Sequence, residues 1–547
     1  MTFWELFVRL LPWRPWPALA ALYWHITRRR VRARNRLLAA IAPLPFAYEV
    51  WMARVERASE QETELRKSLE GGRKRPHFSI VLHGPDDESS RERSIHSVEQ
   101  QNYPGWTLVN RVADARGDYL ILLHSGDVIA PTALFRLAGA IYADPGAAIL
   151  YGDQDELDAT GRRVRPWFKP QWNEELFLAQ DYLSSAVAVR MDLAREHAAA
   201  GLEVDDLLLA VTSAGKGAIT HLPHILSHVS GVGAADPNIR LAAVARHLEP
   251  KSAHCGPGPF RTAKVEWPLP ADLPLVSIII PTKDKLELLE PCVDGVLNRT
   301  GYGLLEVLIV DNGSVEPRTA DYLRRIAQDP RVRVLRYPAQ YNFSAINNFA
   351  VREANGSYLC LLNNDTEVVG EDWLTEMMRY AVRDDVGAVG AKLLYEDGSI
   401  QHAGVAIGIG EAAGHSHRFL PNDEPGYFAM AHASHFVSAV TAACLVVDKR
   451  KYLAVGGLDE ENLAVAFNDV DFCLKLQAGG WRNVYTPHAV LVHHESKSRG
   501  NDLAAAHVNR FRRELKVLQD RWGTRTARDP LHNPNLDRYS ETFVLRL

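Results

Sequence analysis

A short apolar run that stops abruptly at polar residues constrains this chain more than any other stretch. The run at 358–362 has the length of a buried strand and is followed by five polar residues, Asn363, Asn364, Asp365, Thr366 and Glu367. Ligands of open α/β sheets bind beyond the carboxyl ends of such strands. A carboxylate flanked by amides suits a hard cation such as Mg²⁺ or Mn²⁺ carrying a diphosphate. The alternative is a helix N-cap, in which Asp365 or Thr366 only starts the next helix.

The pattern of segments around this strand occurs twice along the chain. The matched segments are 77–82 with 276–281, 119–123 with 358–362, and 214–224 with 478–488. Their order is kept while the gaps between them differ, as expected of a duplicated domain. Strands that alternate with helical segments predict an α/β fold with a mostly parallel sheet in each copy.

The two copies differ where chemistry could be carried. The second copy has 81 residues from its first matched strand to its second, against 40 in the first copy. The extra residues include an apolar strand that ends at Asp311, and Gly126 stands where the second copy has Asp365. We therefore expect the first copy to have lost a whole strand and two carboxylates, and to keep a core without the chemistry.

A chain of 547 residues is too long for a single core. Composition divides it into a basic helical segment at 1–75, the first copy at 76–260, the second copy at 261–502, and a helix with an irregular tail at 503–547. The boundary near 260 coincides with a linker rich in glycine and proline.

Charge and cysteine content exclude several classes of protein. A net charge of −5 gives no reason to expect a nucleic-acid partner. The five cysteines are odd in number and form no CxxC pair. They indicate reduced thiols in the cytoplasm, without disulfides or a zinc framework.

Residues 1–36 have a composition of their own. Four tryptophans are interleaved with leucine and alanine, and six arginines follow between positions 28 and 36. Charged residues and prolines interrupt any apolar run of membrane-spanning length, and no signal-peptide cleavage pattern is present. Tryptophan beside a basic cluster suits an anionic membrane surface, so we expect peripheral binding there. The alternative is an amphipathic helix packed on the protein, with its arginines in solvent.

Three strand ends of the second copy present polar groups, at 282–284, 311–312 and 363–365. The carboxyl ends of parallel strands gather at one edge of a sheet. Carboxylates at that edge suit a nucleoside, since they accept from base N–H and ribose hydroxyl groups.

Two further positions could take part in the chemistry. Asp469 or Asp471, near the start of a predicted helix, could be the base that deprotonates a sugar hydroxyl, although either could instead be a helix cap. His493, at the end of a predicted strand, could complete a metal shell, although a strand-end histidine is more often structural.

The order of the motifs is recognisable. VSIIIPTKD, VLIVDNGS, NFSAINNFAV, LLNNDTEV, SAVTAACLVV, GGLDE, FNDVDFCLKL and VHHESKSRG follow one another between 275 and about 500. This part resembles the nucleotide-sugar glycosyltransferases of family two, and 77–230 resembles a degraded second domain of that kind. The resemblance implies two tandem GT-A-like domains, an arrangement found among enzymes of bacterial surface polysaccharides, including rhamnosyltransferase-like proteins.

The resemblance also implies residue roles. Asp284 and Asp311 would contact the nucleoside, and Asp365 would be the metal carboxylate of the DxD motif. Asp469 would be the catalytic base and His493 the C-terminal metal ligand. The other implied donor-binding positions are Pro281, Thr282, Asn348 and Asn364. The chain departs from the family at Asn363, the first DxD position, and at Ala442 or Ala443, where a glycine is usual.

The reaction implied is a single-step, inverting transfer from a nucleotide-diphosphate sugar to a hydroxyl of a glycan or lipid-linked saccharide, with Mg²⁺ or Mn²⁺. We expect it in the cytoplasm, at the inner face of the plasma membrane. A non-catalytic sugar-binding or nucleotide-binding protein stays open as an alternative because of Asn363. A dinucleotide oxidoreductase is disfavoured because the GxGxxxG at 408–414 does not follow the first strand. A metal hydrolase is disfavoured because the histidines at 402–435 lack HExxH spacing.

Overall fold

The computed structural model describes residues 1–56, 75–84, 87–198, 204–230, 237–494 and 508–547. The chain divides into two compact units, the first made of Met1–Trp172, Asp181–His247 and His532–Leu547, and the second of Asn173–Gln180 and Leu248–Leu531. The main change of unit thus falls at residue 247, whereas linker composition placed it near 260. Much of the predicted charged helix at 46–75 and the end of VHHESKSRG lie outside the described residues.

The first unit contains a mixed α/β sheet. Its strands are β1 (Phe78–His83), β2 (Trp106–Val109), β3 (Tyr119–His124), β4 (Val128–Ile129), β5 (Ile149–Leu157), β6 (Arg163–Trp167), β7 (Val187–Arg190) and β8 (Ile219–Val229). Their spatial order is β2-β1-β3-β7-β5-β8-β4, with β6 beside β5. Its helices are Phe3–Leu10, Pro15–Ile26, Arg30–Ile41, Ala47–Arg54, Glu88–Glu99, Ala133–Ala143, Met191–Ala198, Val204–Ser213 and Pro237–Leu248.

The second unit repeats this architecture on a larger scale. Its strands are β9 (His254–Pro257), β10 (Ala263–Glu266), β11 (Val276–Thr282), β12 (Leu305–Asp311), β13 (Val332–Arg336), β14 (Tyr358–Leu362), β15 (Thr366–Val368), β16 (Val386–Leu394), β17 (Ile400–His402), β18 (Val405–Ile407), β19 (Ala413–His415), β20 (His435–Val437), β21 (Cys444–Asp448) and β22 (Arg482–His493). The main sheet has the order β13-β12-β11-β14-β21-β16-β22-β15, with β17 beside β16 and β20 beside β22. Its helices are Glu174–Ala179, Leu286–Asn298, Pro317–Ile326, Phe343–Glu353, Trp373–Ala381, Lys449–Ala454, Asn468–Ala478 and Val508–Trp522.

The two main sheets follow one plan, so the predicted α/β duplication is confirmed. β1 pairs in parallel with β3 with Phe78 opposite Tyr119, and β11 pairs in parallel with β14 with Val276 opposite Tyr358. Placing β1 on β11 and β3 on β14 makes the two strand orders identical from β2 and β12 onward.

Among its described residues the first copy lacks one strand, as predicted, but that strand is not the one that ends at Asp311. β2 lies parallel to β1 with Trp106 opposite Phe78, in the position that β12 takes beside β11. What the first sheet lacks, within its described residues, is a counterpart of β13. The first copy lacks the carboxylate of Asp311 because β2 is shorter than β12. β2 is only four residues long and ends at Val109, before the position that corresponds to Asp311.

Apolar side chains account for the central strands. Every residue of β11 and of β12 is buried, which is expected when helices cover both faces of a sheet. The fully buried Ile278 and Val307 therefore hold the strands in place from within the core. The polar residues beyond the strand ends are not needed to hold these strands in the core.

Candidate active site

The carboxyl ends of β11, β12 and β14 lie at one edge of the second sheet. Thr282, the last residue of β11, is opposite Asp311, the last residue of β12. Asn364, just beyond β14, donates from Nδ2 to Oγ1 of Thr282 over 3.1 Å. Pro281 precedes Thr282 within the same buried strand. The three polar strand ends expected from the sequence are thus brought together.

Asp365 meets His493 through the pairing of two antiparallel strands. Thr366, which begins β15, is opposite His493, which ends β22. The N–H of His494 also donates to the carbonyl of Asp365 over 2.9 Å. His493 Nε2 consequently lies 3.1 Å from Asp365 Oδ1, although the two residues are 128 positions apart. Both side chains are buried.

A buried glutamine sets the tautomer of His493. Gln401 Oε1, in β17, accepts from His493 Nδ1 over 2.6 Å, and Gln401 Nε2 donates to the carbonyl of His493 over 3.4 Å. A neutral imidazole that donates from Nδ1 has its lone pair on Nε2. In that form Nε2 is an acceptor that lies 3.1 Å from Asp365 Oδ1 and 3.2 Å from Asn363 Nδ2. Sequence reasoning missed Gln401.

The Asp365–His493 pair fits a divalent cation. One carboxylate oxygen and one imidazole lone pair are directed to the same small volume. Mg²⁺ and Mn²⁺ commonly use one or two protein ligands and complete their shell with water and substrate phosphates. In the described part of the chain no group of three or more His, Cys, Asp or Glu side chains is placed to hold a metal ion.

The two carboxylates predicted to contact a nucleoside are held by the turn after β12. The N–H of Ser314 donates to Asp311 Oδ1, and the N–H of Asp284 donates to Ser314 Oγ, each over 2.8 Å. Asp284 has a φ of 53°, a left-handed conformation that non-glycine residues rarely adopt. Its Oδ1 accepts the N–H groups of Val315 and Glu316, both over 2.8 Å. These bonds fix the turn at the sheet edge and give Ser314 a role that the sequence did not reveal.

Asn312 presents a buried acceptor beside this turn. Its Nδ2 donates to the carbonyls of Tyr337 and Ala339 over 2.8 and 2.9 Å. Its Oδ1 is buried and has no hydrogen-bond partner within the described residues. A buried acceptor of this kind is suited to receive an N–H from a ligand.

Asn348 is placed differently from the other predicted donor residues. Its Nδ2 donates to the carbonyl of Leu458 over 2.8 Å and to Glu460 Oε2 over 3.1 Å. Its Oδ1 accepts from the hydroxyl of Tyr452 over 2.6 Å and from the N–H of Leu458 over 3.1 Å. The amide therefore holds the 452–460 loop against helix Phe343–Glu353, and no hydrogen bond of the described residues joins it to the strand ends.

Asp469 is linked to the end of β14 through one peptide segment. It lies in the first turn of helix Asn468–Ala478, and its Oδ2 accepts from the N–H of Ala442 over 3.1 Å. The neighbouring carbonyl of Ala443 accepts from the N–H of Asn363 over 3.0 Å. Both alanines are buried, so the β-carbons that replace the usual glycine lie inside the protein.

Asp471 has a structural role that separates it from Asp469. Its side chain is fully buried, and its Oδ1 accepts from Arg521 Nη1 over 2.7 Å and from Trp522 Nε1 over 2.8 Å. Arg521 also pairs with Asp459 over 2.8 Å. Of the two candidate bases, Asp471 is thus committed to anchoring helix Val508–Trp522, and Asp469 is the half-buried one.

The first unit has no equivalent arrangement at the matching positions. Gly126, which replaces Asp365, has a φ of 101°. Asp205, which aligns with Asp469, is half-buried and pairs with Arg240 over 3.1 Å.

The histidines of the 402–435 region are engaged in local hydrogen bonds. His432 contacts the carbonyl of Glu424 over 2.9 Å, and His435 contacts that of Ala433 over 2.8 Å. Burial lowers the pKa of His435 to about 4 and that of His417 to about 3. These contacts give the imidazoles a structural role, in line with the sequence interpretation that disfavoured a metal hydrolase.

Part of the second unit matches a known protein family. Residues 277–444 match the family model "Glycosyl transferase family 2". The matched region lies within the second unit. The matched region includes Asp284, Asp311 and Asp365, whereas Asp469 and His493 lie beyond it.

Relatives extend the similarity to most of the chain. It is 42% identical over 477 residues to the uncharacterized protein y4gI of Sinorhizobium fredii, covering 83% of this chain and 52% of that protein. It is 35% identical over 447 residues to the O-antigen biosynthesis protein RfbC of Myxococcus xanthus, covering 78% of this chain and 34% of that protein. The chain thus spans about half or less of the length of these relatives.

One solved structure matches the chain at low similarity. The mannosyltransferase PcManGT from Pyrobaculum calidifontis, in complex with GDP-Man and Mn²⁺, is 18% identical, with a TM-score of 0.35, over 49% of this chain and 69% of that one. A TM-score this low adds nothing to the family assignment.

Proposed function

We propose that the second unit transfers a sugar, with inversion, from a nucleotide-diphosphate sugar to a hydroxyl of a glycan or lipid-linked saccharide during bacterial surface polysaccharide synthesis. The observation that carries this proposal is the meeting of Asp365 and His493, 3.1 Å apart, at the sheet edge where β11 and β12 also end. The family match and the relative named for O-antigen biosynthesis support the reaction class and the setting.

In this proposal Asp365 and His493 hold Mg²⁺ or Mn²⁺. Such a cation would supply charge stabilisation to the departing diphosphate. Asn363 stands in for a second carboxylate and leaves the pair with a single negative charge. We therefore expect cation affinity to depend strongly on the diphosphate, which brings its own charge.

The nucleoside would lie along the turn after β12. Asp311, Asp284 and the open acceptor of Asn312 face hydrogen-bond donors such as base N–H and ribose hydroxyl groups. Thr282 and Asn364, already bonded to each other over 3.1 Å, would border the diphosphate. Asn348 would act indirectly, by holding the 452–460 loop.

Asp469 would be the base. Its carboxylate accepts the proton of the acceptor hydroxyl as that oxygen forms a bond to the anomeric carbon. The bond from the anomeric carbon to the diphosphate oxygen breaks with the electron pair leaving on the diphosphate. The attack comes from the face opposite the leaving group, so the configuration inverts and no covalent intermediate on the enzyme is needed.

A nucleotide-sugar panel with Mn²⁺ or Mg²⁺ tests this function. We expect turnover of one donor, lowered at least 100-fold by Asp469→Asn and by Asp365→Ala. Asp205→Asn is the matched control, because it alters the aligned carboxylate of the first unit and should leave turnover within about twofold. Turnover that is unaffected by Asp469→Asn would show that another group is the base.

The second candidate is a non-catalytic sugar-binding or nucleotide-binding protein, favoured by Asn363. It predicts binding of a nucleoside diphosphate without turnover of any donor. The variant Asn363→Asp, which restores the carboxylate, separates the two functions. A transferase with a weakened metal site should gain Mn²⁺ affinity and keep its turnover of the donor, whereas a non-catalytic protein should show no turnover.

We also propose that the protein acts in the cytoplasm, peripherally at the inner face of the plasma membrane, where a lipid-linked acceptor would be presented.

A further inference from the structure

The first unit exposes an apolar stripe on its second helix. In Pro15–Ile26 the stripe consists of four side chains that are 80%, 45%, 60% and 69% exposed, Trp16, Leu19, Tyr23 and Ile26. At 100° per residue they lie within about 80° of one another around the helix. Ala18 and Ala21, on the opposite face, are fully buried. The helix therefore packs on its own unit mainly through Ala18 and Ala21 and leaves the four residues of the stripe exposed.

Another tryptophan borders this stripe. Trp4, on helix Phe3–Leu10, lies edge-on to His25 with ring centroids 5.6 Å apart, and it is 54% exposed. Leu6 and Leu10 of the same helix are buried in the core of the helical segment. The first two helices thus present large apolar residues outward, several of them aromatic, while Leu6 and Leu10 lie in the core.

A cluster of six exposed arginines follows the stripe directly, Arg28, Arg29, Arg30, Arg32, Arg34 and Arg36. The guanidinium groups of Arg29 and Arg32 lie 4.8 and 4.9 Å from the ring centre of Trp24. None of the six forms an ion pair with a carboxylate of the described residues. Residues 1–54 contain nine arginines and two glutamates, whereas the whole chain has a net charge of −5. Positive charge is therefore concentrated beside the apolar stripe.

We propose that this stripe and the arginine cluster dock the first unit on an anionic lipid bilayer, with Pro15–Ile26 lying in the headgroup region. Tryptophan and tyrosine favour that region because they combine an apolar ring with a polar tip. The arginines would contact lipid phosphates. The helix has twelve residues, and among the described residues no helix is long and apolar enough to cross a membrane.

Charge disfavours a second copy of this chain as the occupant. A two-fold contact through the stripe would bring two equivalent arginine clusters together. Such like charges repel, whereas an anionic lipid surface attracts both the cluster and its neighbouring rings.

Sedimentation of the full chain with vesicles tests the proposal. We expect binding to vesicles of phosphatidylglycerol and phosphatidylcholine, and at least tenfold weaker binding to phosphatidylcholine alone. Each arginine near such a surface contributes roughly a factor of five, so Arg28→Gln with Arg32→Gln should weaken binding about 25-fold at low salt. Trp16→Ser with Tyr23→Ser should weaken it at least tenfold at every salt concentration.

The control changes a tyrosine outside helix Pro15–Ile26. Tyr539→Ser removes a tyrosine that is 66% exposed, close to the 60% of Tyr23, and should leave vesicle binding unchanged. Point changes are preferred to deletion of residues 1–36, which would remove core residues such as Leu6 and Leu10.

Three outcomes would overturn the proposal. They are failure of the wild type to bind anionic vesicles, an equal loss on Tyr539→Ser, and conversion of a dimer to a monomer by Trp16→Ser with Tyr23→Ser in light scattering without any effect on vesicles. Nucleotide-sugar turnover without vesicles should be the same in all these variants. Failure of the docking surface and failure of the transferase activity are therefore distinguishable.

Discussion

Replacing Gln401 by leucine should weaken the binding of a divalent cation at the Asp365–His493 pair. Gln401 is buried, and its Oε1 accepts from His493 Nδ1 over 2.6 Å. Leucine has a similar volume but no acceptor. The variant must either bury an unpaired Nδ1–H, at a cost of about 1–3 kcal/mol, or turn the ring away from Asp365.

Loss of an outer partner of this kind lowers metal affinity by roughly 10- to 100-fold. That range corresponds to about 1.4–2.7 kcal/mol. We expect the lower end without nucleotide, because the cation then has fewer fixed ligands. With a bound nucleoside diphosphate the ring orientation matters more, and the loss should approach the upper end.

The assay is titration with Mn²⁺, following free Mn²⁺ by electron paramagnetic resonance, with and without a nucleoside diphosphate. Gln401→Glu keeps an acceptor for Nδ1–H and should bind Mn²⁺ at least as tightly as the wild type. Gln477→Leu controls for removal of a glutamine elsewhere, since Gln477 Nε2 only donates to the carbonyl of Val437. Unchanged Mn²⁺ affinity in a folded Gln401→Leu protein would refute the reasoning.

Two further predictions concern stability. Arg521→Leu removes the 2.7 Å partner of the fully buried Asp471 and should lower the free energy of unfolding in urea by about 2 kcal/mol, whereas Arg525→Leu should change it by about 0.5 kcal/mol or less. Burial lowers the pKa of His435 and His488 to about 4, so the unfolded chain binds protons between about pH 6.5 and 4 that the native state does not. The free energy of unfolding should therefore fall as pH decreases through that window, less steeply in His435→Gln, and an equal slope in the two proteins would contradict this assignment.

Much of the fold could be predicted because its signals are local. Buried strands such as Val276–Thr282 and Tyr358–Leu362 are continuous apolar runs that end at polar residues. The match between the copies gave the correct equivalent strands, since β1 pairs with β3 as β11 pairs with β14. β2 was missed because its four residues are only partly buried, and its pairing with β1 makes it a strand.

The contacts within the site could not be predicted, because they join distant positions. Gln401 and His493 are 92 residues apart, and neither lies in a pattern that indicates the other. The choice between Asp469 and Asp471 depends on Arg521, fifty positions beyond Asp471. Asn348 lies in a family motif, but its amide is used by a loop 110 residues later.

The first unit shows why the fold can outlast the site. Its sheet order is held by buried strand residues such as Ile80 and Ile121, whereas the site residues of the second unit lie at the carboxyl ends of the strands or just beyond them. At one such position Gly126 replaces a carboxylate. With a φ of 101° it also adopts a conformation that an aspartate would strain, so Gly126→Asp alone should not restore a metal site.

A carboxylate at an aligned position is not by itself evidence of a catalytic base. The hydrogen-bond and ion-pair partners of that carboxylate distinguish a base from a structural residue. Asp205 pairs with Arg240 over 3.1 Å, so its negative charge is balanced within the unit. Asp469 accepts two peptide N–H bonds, from Ala442 over 3.1 Å and from its neighbour Val470 over 2.9 Å, and no cation among the described residues pairs with it. Hydrogen bonds from peptide N–H groups orient a carboxylate without neutralising its charge. An oriented, unneutralised carboxylate beside the β14 strand end is what proton removal from an acceptor hydroxyl requires.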